Sequence, residues 1–476
     1  MELKRVHDYL WEIPKSGGMR VPGRIYASHS LLDQIRNEGG LQQVMNVAHL
    51  PGIVGYSLAM PDIHWGYGFP IGGVAATDPT EGGVISPGGV GYDINCGVRL
   101  CVAPITAAEV KPKIERVVTR LFQKVPCGIG SEGGIGKIGG KELDQVMRRG
   151  ARWSIDRGYG HVNDLEHTEE RGCLPEADPT MISERARERG LGQIGTLGSG
   201  NHFVELEVVE EIFLPEVASE LGIEIGGLTV LIHTGSRGFG YQVCDDYLRV
   251  MARGAEKHRY ELPDRQLACV PVNSEDGQAY WKAMSAAANF AWANRQAIMG
   301  LAEEALQEAL GMTPHDMRLR LIYDVCHNVA KMETHRVDGV DRRLCVHRKG
   351  ATRAHFPRGQ RSPWSFGQPV IVPGDMGTAS YLCVGTERSL EETWGSTCHG
   401  AGRVLSRSAA KRKFAGRDLI GELRDDGITV MARGLATVAE EMRGAYKDVS
   451  QVVDVMDHAG ISRKVARLRP IGVIKG

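Results

Sequence analysis

Five side chains of the types that bind transition metals lie at the ends of predicted strands or in a glycine-rich turn. His233 ends the apolar run LTVLIH, His327 follows LIYDVC, and His202 begins HFVEL. Asp93 and Cys96 are three residues apart in GGVGYDINCGVRL. Imidazole, carboxylate and thiolate groups bind divalent transition metals, and a thiolate can bridge two ions. The shared setting indicates a candidate metal site, although a structural role stays open for each histidine taken singly.

His399 is the second chemical signal. It stands between Cys398 and two glycines in STCHGAGR, and Arg403 directly follows the second glycine. Glycine lets backbone amides approach a ligand closely, and the following VLSRSAAKRKF has helical character. We therefore expect a turn that leads into a helix N-terminus, a geometry that suits phosphate. The imidazole could be a nucleophile toward phosphorus, a general base or a further metal ligand, and these residues alone do not choose.

Two weaker signals concern phosphate and nucleic acid. Gly128, Gly130 and Gly133 fit G-x-G-x-x-G, but no strand and helix frame them, and GGIGKI does not complete a phosphate-loop pattern. We expect a plain loop there. Residues 342–361 contain seven Lys or Arg and no acid, which could steer a phosphate backbone or form a solvated charged face.

Composition restricts the class of protein. The chain has 476 residues, of which 42% are hydrophobic and 24% charged, as in a globular protein. The start, MELKRVHDYLWEIPKSGG, predicts neither a signal peptide nor a membrane span, so we expect a cytoplasmic protein. Ten cysteines without paired short spacings favour neither a zinc ribbon nor disulfides. The net charge of −1 gives no overall attraction to nucleic acid.

The elements that must position these residues are mixed. Short runs typical of strands (HFVELEVVEEIF, LTVLIH, LRLIYDV and PVIVPG) alternate with glycine-rich turns and helical patterns. The clearest helix spans residues 280–310, and others are expected near 106–124, 142–157 and 428–443. This irregular order favours an α+β fold. Because no repeat, linker or change of composition divides the chain, we expect one domain over residues 1–476.

Several motifs together resemble one known family. They are, in order, MPDIHWGYGFPIGG, GGVGYDINCGVR, LGSGNHFVEL, HTGSRGFG, DVCHNVA, HRKGATRA, PGDMGTASY, CHGAGR, GAYKDV and the ending PIGVIKG. On these motifs the chain resembles the RtcB family of GTP-dependent RNA-splicing ligases. The resemblance runs over almost the whole chain, and DINCGVR, GSGNHF and CHGAGR are highly specific.

The resemblance implies a fold and a metal centre. The implied fold is a single large α+β domain of the RtcB type, with mixed β-sheets flanked by helices around a deep cleft that holds two manganese ions. Carried over by motif, the bridging thiolate is Cys96, with Asp93 and His202 on one ion and His233 and His327 on the other.

The resemblance also assigns roles around the nucleotide. The family's nucleophile falls on His399, which would attack the α-phosphorus of GTP, expel pyrophosphate and carry GMP, while Asp62 orients its imidazole. Arg237 and Arg353 are implied candidates for RNA phosphates. Contacts to guanine fall on Glu205, Ser380, Tyr446 and Lys475, and the other nucleotide contacts on Asn201, Asn328, Pro373, Gly374, Asp375, Met376, Gly400, Ala401 and Gly402.

The implied reaction joins an RNA ending in a 2′,3′-cyclic phosphate or 3′-phosphate to an RNA with a 5′-hydroxyl, in tRNA splicing or RNA repair. The cyclic end is opened, GMP moves from His399 to the 3′-phosphate, and the 5′-hydroxyl then displaces GMP. The implied partners are GTP, tRNA halves or cleaved RNA, and an activator such as archease, with no membrane.

Two departures and two alternative functions accompany this interpretation. Asp375 stands where serine is expected in many members, and an acid there could reduce nucleotide affinity or alter metal use. Gly444 stands where proline often precedes AYKD. A metal-dependent phosphoesterase acting on RNA ends would need no nucleotide, and a non-catalytic, metal-stabilised RNA-binding protein would not need His399. Labelled GTP separates them, because only the ligase should become covalently labelled.

Overall fold

A computed structural model describes residues 3–36, 38–357 and 364–476. The strands in these ranges are β1 (Lys4–His7), β2 (Leu10–Ile13), β3 (Gly23–Tyr26), β4 (Ile53–His64), β5 (Ile71–Thr77), β6 (Val84–Ile85), β7 (Gly97–Thr106), β8 (Phe203–Ile212), β9 (Gly227–Thr234), β10 (Val270–Pro271), β11 (Arg320–Cys326), β12 (Asn328–Val337), β13 (Val340–Lys349), β14 (Ala351–Arg353), β15 (Pro369–Val372), β16 (Ser380–Gly385), β17 (Ser396–Cys398), β18 (Thr429–Ala432) and β19 (Ser462–Lys475).

The strands form two large sheets and two small ones. The first large sheet has the order β1-β2-β3-β4-β5-β13-β12, and the second has the order β11-β7-β9-β8-β19-β16-β15, with β18 paired to β19. Most neighbours are antiparallel, and the parallel pairs are β3 with β4 and β18 with β19. Two short ribbons, β10-β6 and β14-β17, complete the set in the described part of the chain.

Helices cover these sheets. They are α1 (His29–Ile35), α2 (Gly40–Val47), α3 (Ala107–Val110), α4 (Ile114–Lys124), α5 (Gly140–Arg149), α6 (Ala151–Ile155), α7 (Glu184–Gly190), α8 (Pro215–Glu220), α9 (Arg237–Lys257), α10 (Glu275–Leu310), α11 (Glu387–Glu392), α12 (Arg407–Lys413), α13 (Leu419–Asp425), α14 (Leu435–Glu440) and α15 (Val449–His458). No helix among the described residues is both long and apolar enough to cross a membrane.

The long helix α10 is the central support of the fold. The Ser274 side chain caps its first turn by accepting the Gly277 amide, and Gly311 ends it with a φ of 72°. Most of its residues are buried, including alanines that allow neighbouring helices to approach closely. The predicted helix over residues 280–310 is therefore confirmed.

The predicted α+β class is confirmed, and the strand predictions for residues 202–213, 228–233, 319–325 and 369–374 match β8, β9, β11 and β15. The helix predicted near residues 428–443 was wrong in its first part, because Thr429–Ala432 form β18 beside the last strand, β19. Pairing with an existing sheet outweighed local helical preference.

Two other predicted helices are interrupted. The helix expected near 142–157 breaks between α5 and α6 at Gly150, whose φ is 54°. The helix expected near 106–124 is divided into α3 and α4 by a tight turn that contains Pro112. The G-x-G-x-x-G segment is a loop, as predicted, with no helix or strand over residues 128–138.

Candidate active site

The five predicted metal ligands meet at one edge of the second large sheet. Cys96 directly precedes β7, His202 precedes β8, His233 lies near the end of β9, and His327 follows β11. The register aligns these strand ends, since Gly97 pairs with both Cys326 and Thr234, and His233 pairs with Phe203. The antiparallel sheet thus brings side chains from distant sequence positions to one place.

Their donor atoms form two groups that share the thiol. One group is Asp93, Cys96 and His202, the other is Cys96, His233 and His327, and within each group the donor atoms all lie within 4.8 Å of one another. The Cys96 Sγ lies 3.5 Å from His202 Nε2 and 3.4 Å from His233 Nε2, and His202 Nε2 lies 2.9 Å from Asp93 Oδ2. This is the division between two ions that the resemblance implied.

The electrostatics of the cluster suit cations. Burial, reinforced by neighbouring imidazoles, lowers the pKa of His233 and of His327 well below the usual value, so both rings are neutral and can donate a lone pair. Burial and the Asp93 carboxylate raise the pKa of the Cys96 thiol. The Nδ1 atoms of both rings are buried without a hydrogen-bond partner in the described residues. Neutral imidazoles, a carboxylate and a shared thiol fit a pair of divalent transition-metal ions.

Helix α10 holds the loops that carry these ligands. Asn294 accepts the amides of Gly195 and Thr196, ahead of His202, at 2.8 and 3.2 Å. Arg295 donates to the carbonyl of Asn95, next to Cys96, at 2.7 Å and to that of Thr234, next to His233, at 3.0 Å. Buried side chains of one rigid helix therefore fix several segments of the cluster at once.

His399 is held by Asp62 beside this cluster. Its Nδ1 lies 2.5 Å from Asp62 Oδ2, and the same oxygen accepts the His399 amide at 2.8 Å and the Gly400 amide at 3.3 Å. Asp62 is fully buried, and the His399 and His327 rings lie 4.9 Å apart between centres. A carboxylate that binds Nδ1 fixes the ring and leaves Nε2 as its available nitrogen.

The expected helix N-terminus at this histidine was wrong. His399 follows β17, and the next helix, α12, begins only at Arg407 after its cap Ser406. The amides of His399 and Gly400 point to Asp62 instead of standing free for phosphate. Gly402 has a φ of 75°, and a Cβ there would collide with the Asp62 carbonyl. One glycine of CHGAGR is therefore needed so that the chain can pack against Asp62, which supports His399.

One cavity of about 360 Å³ is lined by His399 and by four of the five predicted metal ligands, which we call the metal-type cluster; the fifth, His202, does not line it. Of the residues predicted to contact the nucleotide, the cavity wall includes Asn201, Asn328, Pro373, Gly374, Asp375, Met376, Gly400, Ala401, Gly402, Tyr446 and Lys475. Glu205 and Ser380 are buried but are not among the lining residues. The structure therefore brings most of the predicted contacts to one wall and leaves two behind it.

Two of the four predicted guanine contacts, Tyr446 and Lys475, lie next to Glu441, which sequence reasoning missed. The Lys475 ammonium lies 3.9 Å from the Glu441 carboxylate, to which the Tyr446 hydroxyl donates a hydrogen bond. Arg403 pairs with the same carboxylate at 3.0 Å and donates to the Tyr446 hydroxyl at 2.8 Å. Glu205 has a buried Oε1 without a partner among the described residues, and its burial, together with Glu207, raises its pKa.

Asp375, the departure from the expected pattern, closes its own turn. Its Oδ1 accepts the Gly377 amide at 2.8 Å, and its amide donates to the Thr378 hydroxyl at 3.0 Å. Burial raises the pKa of Asp375 to about 6. The acid lines the cavity, so at neutral pH it adds negative charge there.

The two RNA candidates have different surroundings. Arg353 pairs with Glu170 at 2.7 Å and lies near Glu333 at 3.8 Å, and it does not line the cavity. Arg237 lies over Gly198 with its Nη1 3.5 Å from His202 Nδ1, behind the cluster. Neither guanidinium lines the cavity.

The basic stretch at residues 342–361 also consists largely of paired charges. Arg342 lies 2.9 Å from Glu81, and Arg348 is bound by Glu333 through two hydrogen bonds. Its last four residues, 358–361, lie outside the described residues. Among the cations of this stretch in the described ranges, Lys349 alone lines the cavity. Sequence reasoning missed it individually, although the stretch contained the signal.

Comparison with known proteins identifies relatives over the full length. Residues 43–476 match the family described as tRNA-splicing ligase RtcB. The chain is 53% identical to the tRNA-splicing ligase RtcB of Archaeoglobus fulgidus over 479 residues, covering 100% of this chain and 99% of that protein. It is 52% identical to that of Thermococcus kodakarensis, with the same coverage, and 48% identical to that of Aeropyrum pernix, with 99% of each covered.

Proposed function

The chain belongs to the RtcB family of tRNA-splicing ligases, and from that membership we propose that it is a GTP-dependent RNA ligase whose nucleophile is His399. It joins RNA 2′,3′-cyclic-phosphate or 3′-phosphate ends to 5′-hydroxyl ends. Its substrates are tRNA halves or other cleaved RNAs, and an archease-type protein is the proposed activator.

The contact between His399 and Asp62 carries this proposal. With Nδ1–H donated to the carboxylate, the Nε2 lone pair attacks the α-phosphorus of GTP, a P–N bond forms, and the bond to the β-phosphate oxygen breaks as pyrophosphate leaves. Asp62 stabilises the positive charge that develops on the ring. A nucleophile must be held rigidly and must face a cavity that can admit its substrate. His399 meets both conditions, because Asp62 binds its Nδ1 and its ring lines the cavity.

The residues that would hold two metal ions are Asp93, Cys96, His202, His233 and His327, and manganese is the expected metal. When bound, divalent ions neutralise phosphate charge and polarise phosphoryl oxygens. The neighbouring protein groups keep the ligands in place. The His202 Nδ1 lies 3.1 Å from the Leu197 carbonyl, which directs Nε2 toward Asp93 and Cys96.

The later steps transfer GMP to RNA and then release it. A 3′-phosphate oxygen attacks the phosphorus on His399, so a P–O bond forms, the P–N bond breaks and the imidazole is regenerated. The 5′-hydroxyl then attacks the activated 3′-phosphate, a phosphodiester forms, and GMP leaves. Opening of a cyclic end by water precedes both steps.

Guanine selection is assigned to the polar groups at and behind the cavity wall. Guanine presents N–H donors at N1 and N2 and an acceptor at O6, whereas adenine presents a different pattern. The unpaired Oε1 of Glu205 suits the donors, and the Lys475 ammonium suits the acceptor. A site of this kind rejects adenine because its polar groups would stay unpaired.

GTP labelled at the α-phosphate tests the proposal. The unmodified chain should acquire a label that is lost in acid and stable in alkali, as expected of a phosphoramidate, and His399→Ala should acquire none. His399→Ala should keep its bound metal, because the proposed ligands are untouched, and should still seal RNA supplied with a GMP-activated 3′-end.

His458→Ala is the matched control, since His458 lies on the surface helix α15 and should not affect labelling. An acid-labile GMP adduct on the His399→Ala variant, or loss of metal with loss of label, would show that the nucleophile is elsewhere. A chain that opens cyclic ends but is never labelled would be a phosphoesterase.

A further inference from the structure

Buried cations in this protein have carboxylate partners, with one exception. Lys349 has no carboxylate oxygen within 4.0 Å in the ranges that the structure describes. The other buried cations, each with such a partner, are Arg99, Arg295, Lys331, Arg348, Lys447 and Lys475. An unpaired buried ammonium costs free energy of folding, so its presence requires an explanation.

Lys349 lines the cavity and has hydrogen-bond donors that no described residue uses. It ends β13, is only 5% exposed, and donates from Nζ to the Tyr67 carbonyl at 2.5 Å. This is the one hydrogen bond that its Nζ makes to the described residues, and an ammonium group can make three. Burial lowers the pKa of Lys349 to about 7, because no carboxylate offsets the desolvation. An anion in the cavity would supply the missing partner.

The position of Lys349 separates it from the proposed guanine contacts. Its neighbours are Tyr67 and Gly91, whereas Lys475 and Arg403 belong to the group around Glu441. The next residue, Gly350, approaches the nucleophile, since a Cβ on it would lie 3.0 Å from His399 Cε1. An anion on Lys349 would therefore lie near His399 without occupying the guanine contacts.

A series of tyrosine rings leads from Lys349 to the protein surface. The Tyr67 and Tyr92 rings meet edge to face at 5.5 Å, and Tyr92 stacks on Tyr241 at 4.6 Å. Tyr67 and Tyr92 line the cavity, and Tyr241 is 50% exposed. Aromatic rings are the usual stacking surface for unpaired bases of single-stranded RNA. These rings offer a path to a strand whose end reaches Lys349.

We propose that Lys349 binds the terminal phosphate of the RNA 3′-end, with the preceding nucleotides lying along Tyr67, Tyr92 and Tyr241. This rests on the proposed ligase function, in which a 3′-phosphate must approach the GMP on His399. Lys349 takes the role for which Arg353, already paired with carboxylates, is poorly placed.

Binding of short single-stranded RNAs ending in a 3′-phosphate or a 3′-hydroxyl tests the proposal without catalysis. Measured by fluorescence anisotropy without GTP or added metal, the unmodified chain should prefer the 3′-phosphate by about tenfold or more, the scale of a charge-assisted hydrogen bond. Lys349→Met should bind both RNAs alike. Arg342→Met, a change to a paired and partly exposed cation of the same stretch, should keep the preference.

Two further measurements separate a binding role from a structural one. Lys349→Met should melt at the same temperature as the unmodified chain or higher, because it removes an unpaired buried charge. Its labelling by GTP should stay within about twofold, a change too small for loss of a charged hydrogen bond to the nucleotide.

Each alternative result has a clear meaning. A 3′-phosphate preference that survives in Lys349→Met, or is absent from the unmodified chain, overturns the proposal. Loss of GTP labelling with a retained preference would assign Lys349 to the nucleotide and also overturns it. If the unmodified chain is not labelled by GTP at all, the proposed function fails, while the binding comparison still decides whether Lys349 holds a terminal phosphate.

Discussion

Two buried regions of this molecule differ in whether their charged side chains have partners of opposite charge. Under the cavity, Asp324 lies between Arg99 and Arg295, with Nε–Oδ2 distances of 2.8 and 2.9 Å, and all three side chains are fully buried. Burial opposes ionisation of Asp324, but the two guanidinium groups outweigh it and lower its pKa. Around the cavity, by contrast, Glu205 and Lys349 have no opposite charge within 4.0 Å in the described ranges.

This difference distinguishes charged groups that support the fold from groups that we expect to bind ligands. Buried polar groups are normally satisfied, and those that are not require a reason such as a missing ligand. The Asp324 carboxylate is paired with both guanidinium groups within the protein, so this cluster rigidifies α10 and the ligand loops that this helix holds. Glu205, Lys349 and two histidines of the metal-type cluster, by contrast, have acceptor atoms or donor hydrogens without a partner among the described residues, and in the proposed function a nucleotide, an RNA phosphate and metal ions would supply those partners.

The largest expected effect concerns the metal-type cluster at the cavity. Cys96 belongs to both donor groups, so Cys96→Ala should leave little bound metal by elemental analysis and no labelling by GTP, while the chain still folds. Cys383→Ala, a change to a buried cysteine in the hydrophobic core, is the control and should keep both. Metal content near that of the unmodified chain would contradict the shared-thiolate assignment.

A large effect on stability is expected when the buried Asp324 cluster is changed. Asp324→Asn removes one negative charge and leaves two buried guanidinium groups uncompensated, so we expect a loss of about 3–5 kcal/mol in the free energy of unfolding, measured with denaturant. Asp454→Asn, which breaks a surface pair with Lys464, should shift the midpoint much less. Similar shifts for the two variants would show that the Asp324 cluster is not a compensated support.

The metal-type cluster was predictable because the ends of strands can be recognised in the sequence. His233 and His327 follow apolar runs, and antiparallel pairing brings such ends to one edge. His399 was visible through its motif, but its support was not, since the hydrogen bonds to Asp62 span more than 300 residues. The role of Asp62 came from the family resemblance.

The least predictable feature was which charged side chains pair with each other. The stretch containing Arg342, Arg348, Lys349 and Arg353 reads as one basic segment, yet carboxylates from elsewhere in the chain neutralise three of these four side chains and leave Lys349. Only the fold decides which charges meet. For the same reason residues 429–432 became a strand, because β19 offered a partner there.

Glu207 is expected to have an effect that depends on pH and is smallest in acid. Its side chain is fully buried on the face of β8 that also carries Glu205, no cation pairs with it among the described residues, and the nearby Ser380 and Thr229 hydroxyls offset its burial only in part. Burial raises the pKa of Glu207 from 4.5 to about 8. The folded chain therefore keeps this carboxyl protonated at neutral pH.

A raised folded-state pKa gives stability that is complete below the unfolded pKa and is lost as pH rises through about 8. Glu207→Gln keeps the shape but cannot ionise, so its urea midpoint should match that of the unmodified chain at about pH 4 and should exceed it by a growing margin as the pH rises to about 8. Glu210→Gln, at an exposed position of the same strand, controls for a general change of charge and should show no such divergence. If the unmodified chain and Glu207→Gln lose stability equally over this range, then Glu207 is compensated in solution, and the contrast between the two regions does not extend to the carboxylates behind the cavity wall.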